Sequence, residues 1–509
     1  MRSDKQLFLL IILLFGWGFE LSAQTFTDIR AGLTGVAESS SGWINPDRDG
    51  DLDVFVSGEF FQQQNRKLFT KIYKNNRNDR FTAIQHAIPD FFRGDFAIAD
   101  IDLDGIDDLV IMGELSNGTR ISRVFKGTSQ GSFVAVSSNL EPLRDGSVRF
   151  CDFDNDGDPD LLMTGESANG PRTLLYRNDR KAGFKLVGDW FPGVRRGVGE
   201  WIDYNLDGRA DIILTGISEN GQPISVLFEN TGDGFKRLEM GFVPVKNSYI
   251  SVADVDNDGD EDVLLMGEMA NGRLTTRLYR NDRSMGFKEV FTPFVPVRSG
   301  FADWGDMDAD GDMDLLISGE SSNGPVSKVY RNDRQNGFTD INAGLIPLYM
   351  SDGEWGDYDL DGDLDIIISG MASDYSYHTR IYRNDGWPAA TVAAAEEVSE
   401  NIWNNQTVVP ERAEPIYYFV YSSSYGDLKQ TGKKGYFAFV SPVKRPKEVY
   451  EMEETYNLLF RQTYPTWPII DQGNIITNGF ATKALAEQSR TTVIEAYKAK
   501  NFEIIEINW

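Results

Sequence analysis

Short apolar runs that end in glycine recur along the chain, as at Leu315 to Gly319. Each run follows a short segment with aromatic residues, as at Phe301 to Trp304, and precedes a segment that ends in Tyr-Arg-Asn-Asp, as at Tyr330 to Asp333. A further segment then opens with Gly-Phe, as at Gly337 and Phe338. Apolar runs between turn residues are typical of β-strands, and residues 24–387 show no helical periodicity. The pattern predicts repeated units of four short strands.

An acidic loop lies between the first two predicted strands of each unit. Its nine-residue pattern, Asp/Asn-x-Asp/Asn-x-Asp-Gly-x-x-Asp, occurs seven times at spacings of 51 to 55 residues. A parallel β-helix with calcium-binding turns has a far shorter period, and a flat row of four-stranded units would leave exposed edges that a closed ring protects. We therefore predict an all-β seven-bladed β-propeller, with units 1 to 7 numbered from the loops that begin at Asn45, Asp100, Asp152, Asp203, Asp254, Asp306 and Asp357.

The start of the chain has the layout of a cleaved secretory signal peptide, predicted at residues 1–23. Its apolar run from Leu7 to Phe19 is shorter than a membrane-spanning helix requires, so a retained anchor is the weaker interpretation. A lipid anchor would need a cysteine at the cleavage site, and the only cysteine is Cys151. We expect an exported protein that is extracellular, on the cell surface or periplasmic.

The repeats are predicted to fill residues 24–387, followed by a linker over residues 388–415. A different domain follows at 416–509. Its patterns predict a small α+β fold of unknown role, with strands at 416–421, 435–440 and 502–507 and helices at 446–461 and 481–500.

Charge and cysteine content narrow the possible partners. The formal net charge of −28 repels nucleic acid and anionic membranes and attracts cations. A single cysteine allows no internal disulfide, so packing or bound metal must stabilise the exported fold.

The acidic loops predict metal binding. Carboxylates about 4 Å apart repel by roughly 4 kcal/mol at an effective dielectric of 20, so four of them within nine residues require a cation. Oxygen ligands in flexible geometry suit calcium better than magnesium, and up to seven Ca²⁺ ions are expected. The predicted ligands, at loop positions 1, 3, 5 and 9, are Asn45, Asp47, Asp49 and Asp53; Asp100, Asp102, Asp104 and Asp108; Asp152, Asp154, Asp156 and Asp160; Asp203, Asn205, Asp207 and Asp211; Asp254, Asp256, Asp258 and Asp262; Asp306, Asp308, Asp310 and Asp314; and Asp357, Asp359, Asp361 and Asp365.

An EF-hand and a solvated acidic turn are alternative explanations of the acidic loops. An EF-hand has a bidentate Glu at position 12 and flanking helices, both of which are missing here. A solvated acidic turn would explain one such loop but not seven.

The loops, the Gly-Phe dipeptides and the apolar runs ending in glycine resemble the FG-GAP/VCBS repeat family, best known from the propeller of integrin α-subunits, over residues 25–387. The resemblance implies that Asp254, Asp256, Asp258 and Asp262, with their equivalents in other units, ligate calcium. It also implies an extracellular binding or adhesion role. The literal Phe-Gly and Gly-Ala-Pro signatures are missing, so the family's specific ligands do not transfer.

A basic position recurs just before the first strands, at the end away from the acidic loops. A ring of basic and aromatic residues would suit an anionic sugar or a carboxylate-bearing partner. Ion pairs with Glu59, Glu114, Glu166, Glu268 and Glu320 are the structural alternative and are favoured slightly. The candidate ligand-binding residues are Arg93, Arg144, Arg195, Arg196, Lys246 and Arg298, with Tyr349 in unit 7.

A noncatalytic binding, adhesion or scaffolding module for a glycan or protein ligand is the leading functional hypothesis. The alternative is a calcium-dependent, lyase-like enzyme acting on polysaccharides, with side chains such as Arg196 or Tyr349 at its site. His86 and His378 are the only histidines, and neither has a nucleophile motif nearby. No catalytic residue is assigned.

The N-terminus carries a strand that the last repeat lacks. Unit 7 stops at Asp385, whereas residues 25–33 match residues 337–345 of unit 6 at seven of nine positions. We predict that Phe26 to Ile29 pair beside the strand that ends at Tyr382 and so close the ring.

Overall fold

The computed structural model describes residues 25–386 apart from 64, 335 and 336, and parts of the C-terminal region: 420–428, 433–440, 475–476, 503–506 and helical positions 483, 486, 487, 490, 491, 494 and 498. The predicted signal peptide (1–23), linker (388–415) and helix at 446–461 lie outside the described residues. The chain divides into two compact parts, residues 1–398 and 399–509.

Within residues 25–386, the described chain forms β-strands joined by turns, and Arg180–Ala182 and Arg283–Met285 are short 3-10 helices. Each acidic loop connects the first and second strands of its unit. The strands, unit by unit, are Ala37–Ile44, Asp53–Gln62, Asn65–Asn75 and Phe81–Ile84; Phe92–Ala99, Asp108–Glu114, Arg120–Gly127 and Phe133–Val136; Val148–Cys151, Asp160–Ser167, Gly170–Asn178 and Phe184–Val187; Val194–Arg195 with Gly199–Ile202, Asp211–Ser218, Pro223–Asn230 and Phe235–Leu238; Val245–Ala253, Asp262–Met269, Leu274–Asn281 and Phe287–Val290; Arg298–Gly305, Asp314–Ser321, Gly324–Asn332 and Phe338–Asp340; and Tyr349–Gly356, Asp365–Met371, Tyr377–Asn384 and, from the N-terminus, Phe26–Asp28.

Burial explains the composition of the strands. The second strand of each unit begins with six consecutive buried residues, as in Asp314–Ser321, because both of its faces are covered by neighbouring sheets. The fourth strands are more exposed, as in Phe287–Val290, where two exposed residues lie between two half-buried ones, because these strands meet solvent.

All strand pairs in this part are antiparallel. Units 1, 2, 6 and 7 are separate four-stranded sheets, and units 3 to 5 form one 13-stranded sheet. The units of that larger sheet are joined by short bridges, such as Arg172 with Val194 and Ile224 with Val245.

Each first strand lies beside the first strand of the next unit, and that of unit 7 lies beside that of unit 1. A cluster of buried apolar residues fills the space between consecutive units. The cluster between units 7 and 1 includes Ile367, Ile381, Val54 and Val56. The fold is therefore β-propeller-like, with its core distributed among the contacts between sheets.

The predicted pairing of the N-terminal strand is confirmed. Phe26 pairs with Asn384 and Asp28 with Tyr382, the Ile29 amide donates to the Ile381 carbonyl at 3.2 Å, and the Phe26 ring contacts that of Trp355. Unit 7 is thus built from both ends of the repeat region.

The second part contains a mixed sheet, in which Val420–Leu428 pairs with Lys433–Val440 and with Ile475–Ile476. Glu503–Glu506 pairs in parallel with Lys433–Val440. Seven positions between 483 and 498 are helical, within the predicted helix at 481–500.

Across the described residues, no helix combines the length and apolar character needed to span a bilayer.

Candidate metal loops and central cavities

The first half of each loop is folded by its own aspartates. In unit 5, the Asp254 carboxylate accepts the amides of Asp258 at 3.0 Å and Gly259 at 2.9 Å. Gly259 has φ +89°, a conformation that favours glycine. The same two bonds recur in units 2, 3, 4, 6 and 7, so position 1 curls the loop around its own carboxylate.

The aspartate at position 9 ties the loop to its sheet. Asp262 accepts the amides of Asn281 at 2.8 Å and Val255 at 3.1 Å. Burial raises its pKa to about 7, against the opposing effect of the bond from Asn281. Burial likewise raises the pKa of the equivalent residues, to about 6 for Asp108, about 7 for Asp53, Asp160, Asp211 and Asp314, and about 8 for Asp365.

The asparagine at the end of the third strand connects neighbouring units. The Asn281 side-chain amide donates to the Tyr204 carbonyl of unit 4 at 2.8 Å, and that of Asn75 donates to the Tyr358 carbonyl of unit 7 at 2.8 Å. Four more units repeat this bond, through Asn178, Asn230, Asn332 and Asn384. Unit 2 has Gly127 in this place.

Five loops bring three carboxylate oxygens within 4.8 Å of one another. In unit 6, one buried oxygen of Asp308 has no hydrogen-bond partner, which fits a ligand atom facing a cation. The described side chains thus suit a hard divalent ion in these loops. The groups are Asp100, Asp102 and Asp108; Asp152, Asp154 and Asp160; Asp254, Asp256 and Asp262; Asp306, Asp308 and Asp314; and Asp357, Asp359 and Asp361.

The loops of units 1 and 4 form no such group of three among the described residues. Both have an asparagine in place of one aspartate, Asn45 at position 1 and Asn205 at position 3. That all 28 predicted positions ligate calcium stays a prediction.

The predicted ligand-binding ring is largely occupied by ion pairs. Arg144 pairs with Glu114, and Arg298 pairs with Glu320 at 3.0 Å and with Glu268. Arg195 pairs with Glu166, Lys246 with Glu268, and Arg93 with both Asp145 and Glu38. Glu59 lies 3.8 Å from Arg66. Glu114, Glu166, Glu268 and Glu320 thus pair with ring residues, as in the structural alternative. Glu59 instead pairs outside the ring, and the partners of Arg93 are not among the glutamates of that alternative.

Arg196 differs from the rest of the ring. Its side chain is exposed, and no ion pair or hydrogen bond engages its guanidinium among the residues described. Tyr349, the counterpart in unit 7, begins its strand and pairs with Met371.

A second ring lies seven residues before each acidic loop; sequence reasoning included two of its members, Arg93 and Arg196, and missed the other five. The seven residues share a left-handed backbone with φ between 44° and 52°, where non-glycine residues are uncommon. At five of the seven, the pairing of the first and second strands shifts register, as in a β-bulge. We call them the bulge residues: Glu38, Arg93, Asp145, Arg196, Asn247, Ser299 and Met350.

A sequence signal for the bulges exists in retrospect, because four of these residues precede glycine. A Cβ atom at Gly94 would lie 1.9 Å from the Met112 carbonyl oxygen, and one at Gly300 would lie 2.0 Å from that of Ser318. Only glycine fits so close an approach of two backbones.

The bulge residues line a cavity of about 510 Å³, which we call the bulge-end cavity. A second cavity of about 500 Å³, the central cavity, lies between the middle parts of the first strands. Asp95, Arg149, Tyr249 and Asp352 line both cavities. Arg149 bonds Asp95 at 2.7 Å and Glu200 at 2.8 Å.

Carboxylates in the central cavity bridge neighbouring first strands. Asp352 accepts the Ser41 amide at 2.7 Å, Asp303 accepts the Trp355 amide at 3.0 Å, and Glu354 accepts the Trp43 amide. Burial raises the pKa to about 6 for Asp303, about 7 for Asp352 and about 8 for Glu354.

The two histidines lie apart from these cavities' linings. His86 contacts the Thr70 carbonyl at 3.0 Å, and His378 contacts the Ser376 hydroxyl at 2.7 Å. Burial lowers the pKa of both.

The FG-GAP-like repeat family matches residues 100–163, 152–213, 203–265, 254–317 and 306–368. The chain belongs to the FG-GAP-like repeat family. Each match begins at position 1 of an acidic loop, so the family repeat runs from one loop into the second strand of the next unit. No curated protein matches this sequence.

Solved structures share features of the fold at low similarity. AofleA from Arthrobotrys oligospora is 13% identical with a TM-score of 0.36, covering 58% of this chain and 85% of its own. An alpha-L-arabinanase from Penicillium chrysogenum, complexed with arabinobiose, is 11% identical with a TM-score of 0.36, covering 57% and 92%. The V. cholerae biofilm matrix protein Bap1 is 13% identical with a TM-score of 0.26, covering 82% and 58%.

Proposed function

We propose that this chain is an exported, closed seven-bladed β-propeller that binds calcium in its acidic loops and acts as a noncatalytic binding or adhesion module for an extracellular glycan or protein. The observation that carries the binding role is the bulge-end cavity, where seven side chains of six types stand on one repeated backbone. Uniform structure with variable side chains is an arrangement suited to recognition.

Closure of the ring is supported by three independent contacts between units 7 and 1. They are the apolar cluster around Ile367 and Val54, the bond from Asn75 to Tyr358, and the bond from Ser41 to Asp352. Each repeats a contact type found between other consecutive units.

Calcium binding is supported by the grouped carboxylates and by the partnerless oxygen of Asp308. Extracellular calcium modules bind with Kd values of about 10⁻⁴ to 10⁻³ M. With one cysteine in the chain, calcium would take the stabilising role that disulfides have in many exported proteins.

The chemistry of the bulge-end cavity favours an anionic ligand. Arg93 and Arg298 are neutralised by carboxylates within 3.0 Å, whereas the exposed Arg196 retains its charge. A free guanidinium binds a carboxylate or sulfate through paired hydrogen bonds. An acidic sugar or an acidic side chain of a partner protein fits this site.

A glycan array probed with calcium-loaded protein tests the ligand proposal. We expect acidic glycans to bind and Arg196→Gln to weaken that binding at least tenfold. Arg195→Gln is the matched control, because the neighbouring Arg195 already pairs with Glu166. Equal loss in both variants, or equal binding of neutral glycans, would contradict the assignment to Arg196.

One observation favours a polysaccharide-active enzyme as the second candidate. Asp352 and Glu354 are cavity carboxylates with raised pKa values, as general acids require. Their bonds to the backbone of unit 1 favour a structural role instead. Release of reducing or unsaturated sugar ends by the parent protein, lost in Glu354→Gln, would establish the enzyme.

Export is proposed from the N-terminal sequence. Expression of the full chain in a secreting host, followed by N-terminal sequencing, should give a mature protein that begins near Gln24. An intact Met1 terminus on cytoplasmic protein would contradict export.

A further inference from the structure

The residue before the last residue of the third strand is lysine in two units, arginine in four and glutamate in one. Units 1 and 2 have a lysine there, Lys74 or Lys126, with Asn76 or Thr128 two positions later. Unit 4 has Glu229. The other four units have an arginine followed two positions later by an aspartate: Arg177 and Asp179, Arg280 and Asp282, Arg331 and Asp333, and Arg383 and Asp385.

In the arginine units, the guanidinium is held by its own turn. Arg177 Nε lies 2.7 Å from Asp179 Oδ1, and Arg331 Nε lies 2.8 Å from Asp333 Oδ1. In unit 5, Arg280 lies 2.7 Å from Asp282 but 3.9 Å from Asp256 of the loop. These arginines therefore contact the predicted ligand aspartates only weakly. Three other arginines, Arg180, Arg283 and Arg334, pair with the aspartates at loop position 7, which are not among the predicted side-chain ligands.

In the lysine units, no aspartate stands two positions after the lysine, and the ammonium reaches the acidic loop. Lys74 Nζ contacts Asp47 and lies 3.1 Å from Asp49 Oδ2. Lys126 Nζ contacts Asp102 and lies 3.0 Å from Asp104 Oδ2. These aspartates are positions 3 and 5 of their loops, so the ammonium occupies two of the side chains that calcium would need.

In unit 4, an arginine of the loop itself contacts a loop carboxylate. Arg209, at position 7 of the loop, contacts the Asp207 carboxylate and donates to the Asn230 carbonyl at 2.8 Å. Its loop also has Asn205 where other loops have aspartate. Position 7 is aspartate in units 1, 3, 5, 6 and 7 and isoleucine in unit 2.

We propose that Lys74, Lys126 and Arg209 are built-in cations that replace calcium in the loops of units 1, 2 and 4, so that calcium occupies only the loops of units 3, 5, 6 and 7. The inference rests on the proposed calcium binding of the other loops. A tethered ammonium is always present at its loop and carries its own hydrogen-bond donors. To bind such a loop, calcium would have to displace the ammonium into solvent or bind without the two carboxylates that the ammonium contacts.

The stoichiometry of calcium binding tests the inference on the purified full chain, by isothermal titration calorimetry and native mass spectrometry. We expect four calcium ions per chain. Five or more would overturn the inference while leaving calcium binding intact. No bound calcium would overturn the calcium-binding proposal and this inference with it.

A reciprocal exchange of the two unit types sharpens the test. Lys126→Arg with Thr128→Asp gives unit 2 the arginine pattern and should add one calcium. Arg177→Lys with Asp179→Asn gives unit 3 the lysine pattern and should remove one. Unchanged stoichiometry in both folded variants would overturn the inference.

Hydrogen exchange of the parent protein gives a readout that needs no variant. Adding calcium should slow exchange at least tenfold in residues 152–160, 254–262, 306–314 and 357–365. Residues 45–53, 100–108 and 203–211 should not change. Equal protection of all seven loops would contradict the built-in cations.

Discussion

The two ends of the first strands differ in whether their side chains repeat from unit to unit. At the loop end, the backbone and the side chains repeat together, so that Asp254 and Asp306 make the same bonds in their units. At the bulge end, the backbone repeats but the side chains do not, and Arg93, Asp145 and Met350 occupy equivalent places. The loop aspartates repeat because they form the hydrogen bonds that fold each loop, whereas the bulge residues can vary because backbone hydrogen bonds hold their conformation.

The bulge backbone is held by bonds between units. The Asp145 amide donates to the Arg93 carbonyl at 2.8 Å, and the Arg196 amide donates to the Asp145 carbonyl at 2.7 Å. These bonds do not depend on side-chain identity. A strained φ at an equivalent place in every unit, combined with changing side chains, fits the recognition role proposed for this end.

Opening the ring should have the largest effect, because both ends of the strands depend on neighbouring units. Deleting residues 24–33 removes the fourth strand of unit 7 and should lower the free energy of unfolding by at least about 3 kcal/mol, as loss of buried aromatic and strand contacts does. Urea unfolding measures this. Phe26→Ala and Phe338→Ala, at equivalent positions of units 7 and 6, should cost similar amounts; a harmless Phe26→Ala would show that the N-terminal strand is not part of the sheet.

Removing calcium should affect the loop end next most strongly. A site at a hundredfold excess of ligand over Kd contributes about 2.7 kcal/mol, so complete chelation should lower the melting temperature by several degrees. Calorimetry with and without chelator measures the shift, with magnesium as the control ion. A melting curve that chelation leaves unchanged would contradict stabilisation of the loops by calcium.

Two arginines at the bulge end should respond differently to the same change. Arg93→Gln leaves Asp145 without its bidentate partner and should cost about 1 to 3 kcal/mol of stability. Arg196→Gln breaks no contact and should cost less than about 0.5 kcal/mol. Chemical unfolding of both variants measures the difference, and equal costs would mean that Arg196 also has a structural partner.

A smaller effect is expected from pH at the central cavity. The Glu354 pKa is about 8 in the folded chain because of burial, above its usual value of 4.5. The folded state therefore binds the proton more tightly than the unfolded state, and this group lowers stability as pH rises from about 4 through 8. One pKa unit corresponds to about 1.4 kcal/mol, and cavity water screens the charge. Between pH 5 and pH 8, the free energy of unfolding of Glu354→Gln should therefore fall by about 1 to 2 kcal/mol less than that of the parent. Unfolding at both pH values, with saturating calcium, measures it; parallel curves for parent and variant would contradict the raised pKa.

Several features were predictable from the sequence because they depend on nearby residues. The acidic loops, the number of units and the short strands follow from spacing within 51 to 55 residues. The N-terminal strand could also be found, although Phe26 pairs with Asn384, because residues 25–33 repeat the sequence of unit 6. The sequence repeat thus made this contact between distant residues predictable.

The tertiary structure alone decided which charged groups are free. Lys74 and Arg177 occupy equivalent sequence positions, yet one reaches the acidic loop and the other its own turn. Arg195 and Arg196 are adjacent, yet only Arg195 has a carboxylate within 3.2 Å. The amino-acid sequence by itself determined the repeat and the chemistry of its loops, because these are set by residues a few positions apart. The ring of bulge residues and the state of each charge were decided only in the folded chain, because their partners come from neighbouring strands and units, as Arg93 and Asp145 are 52 residues apart.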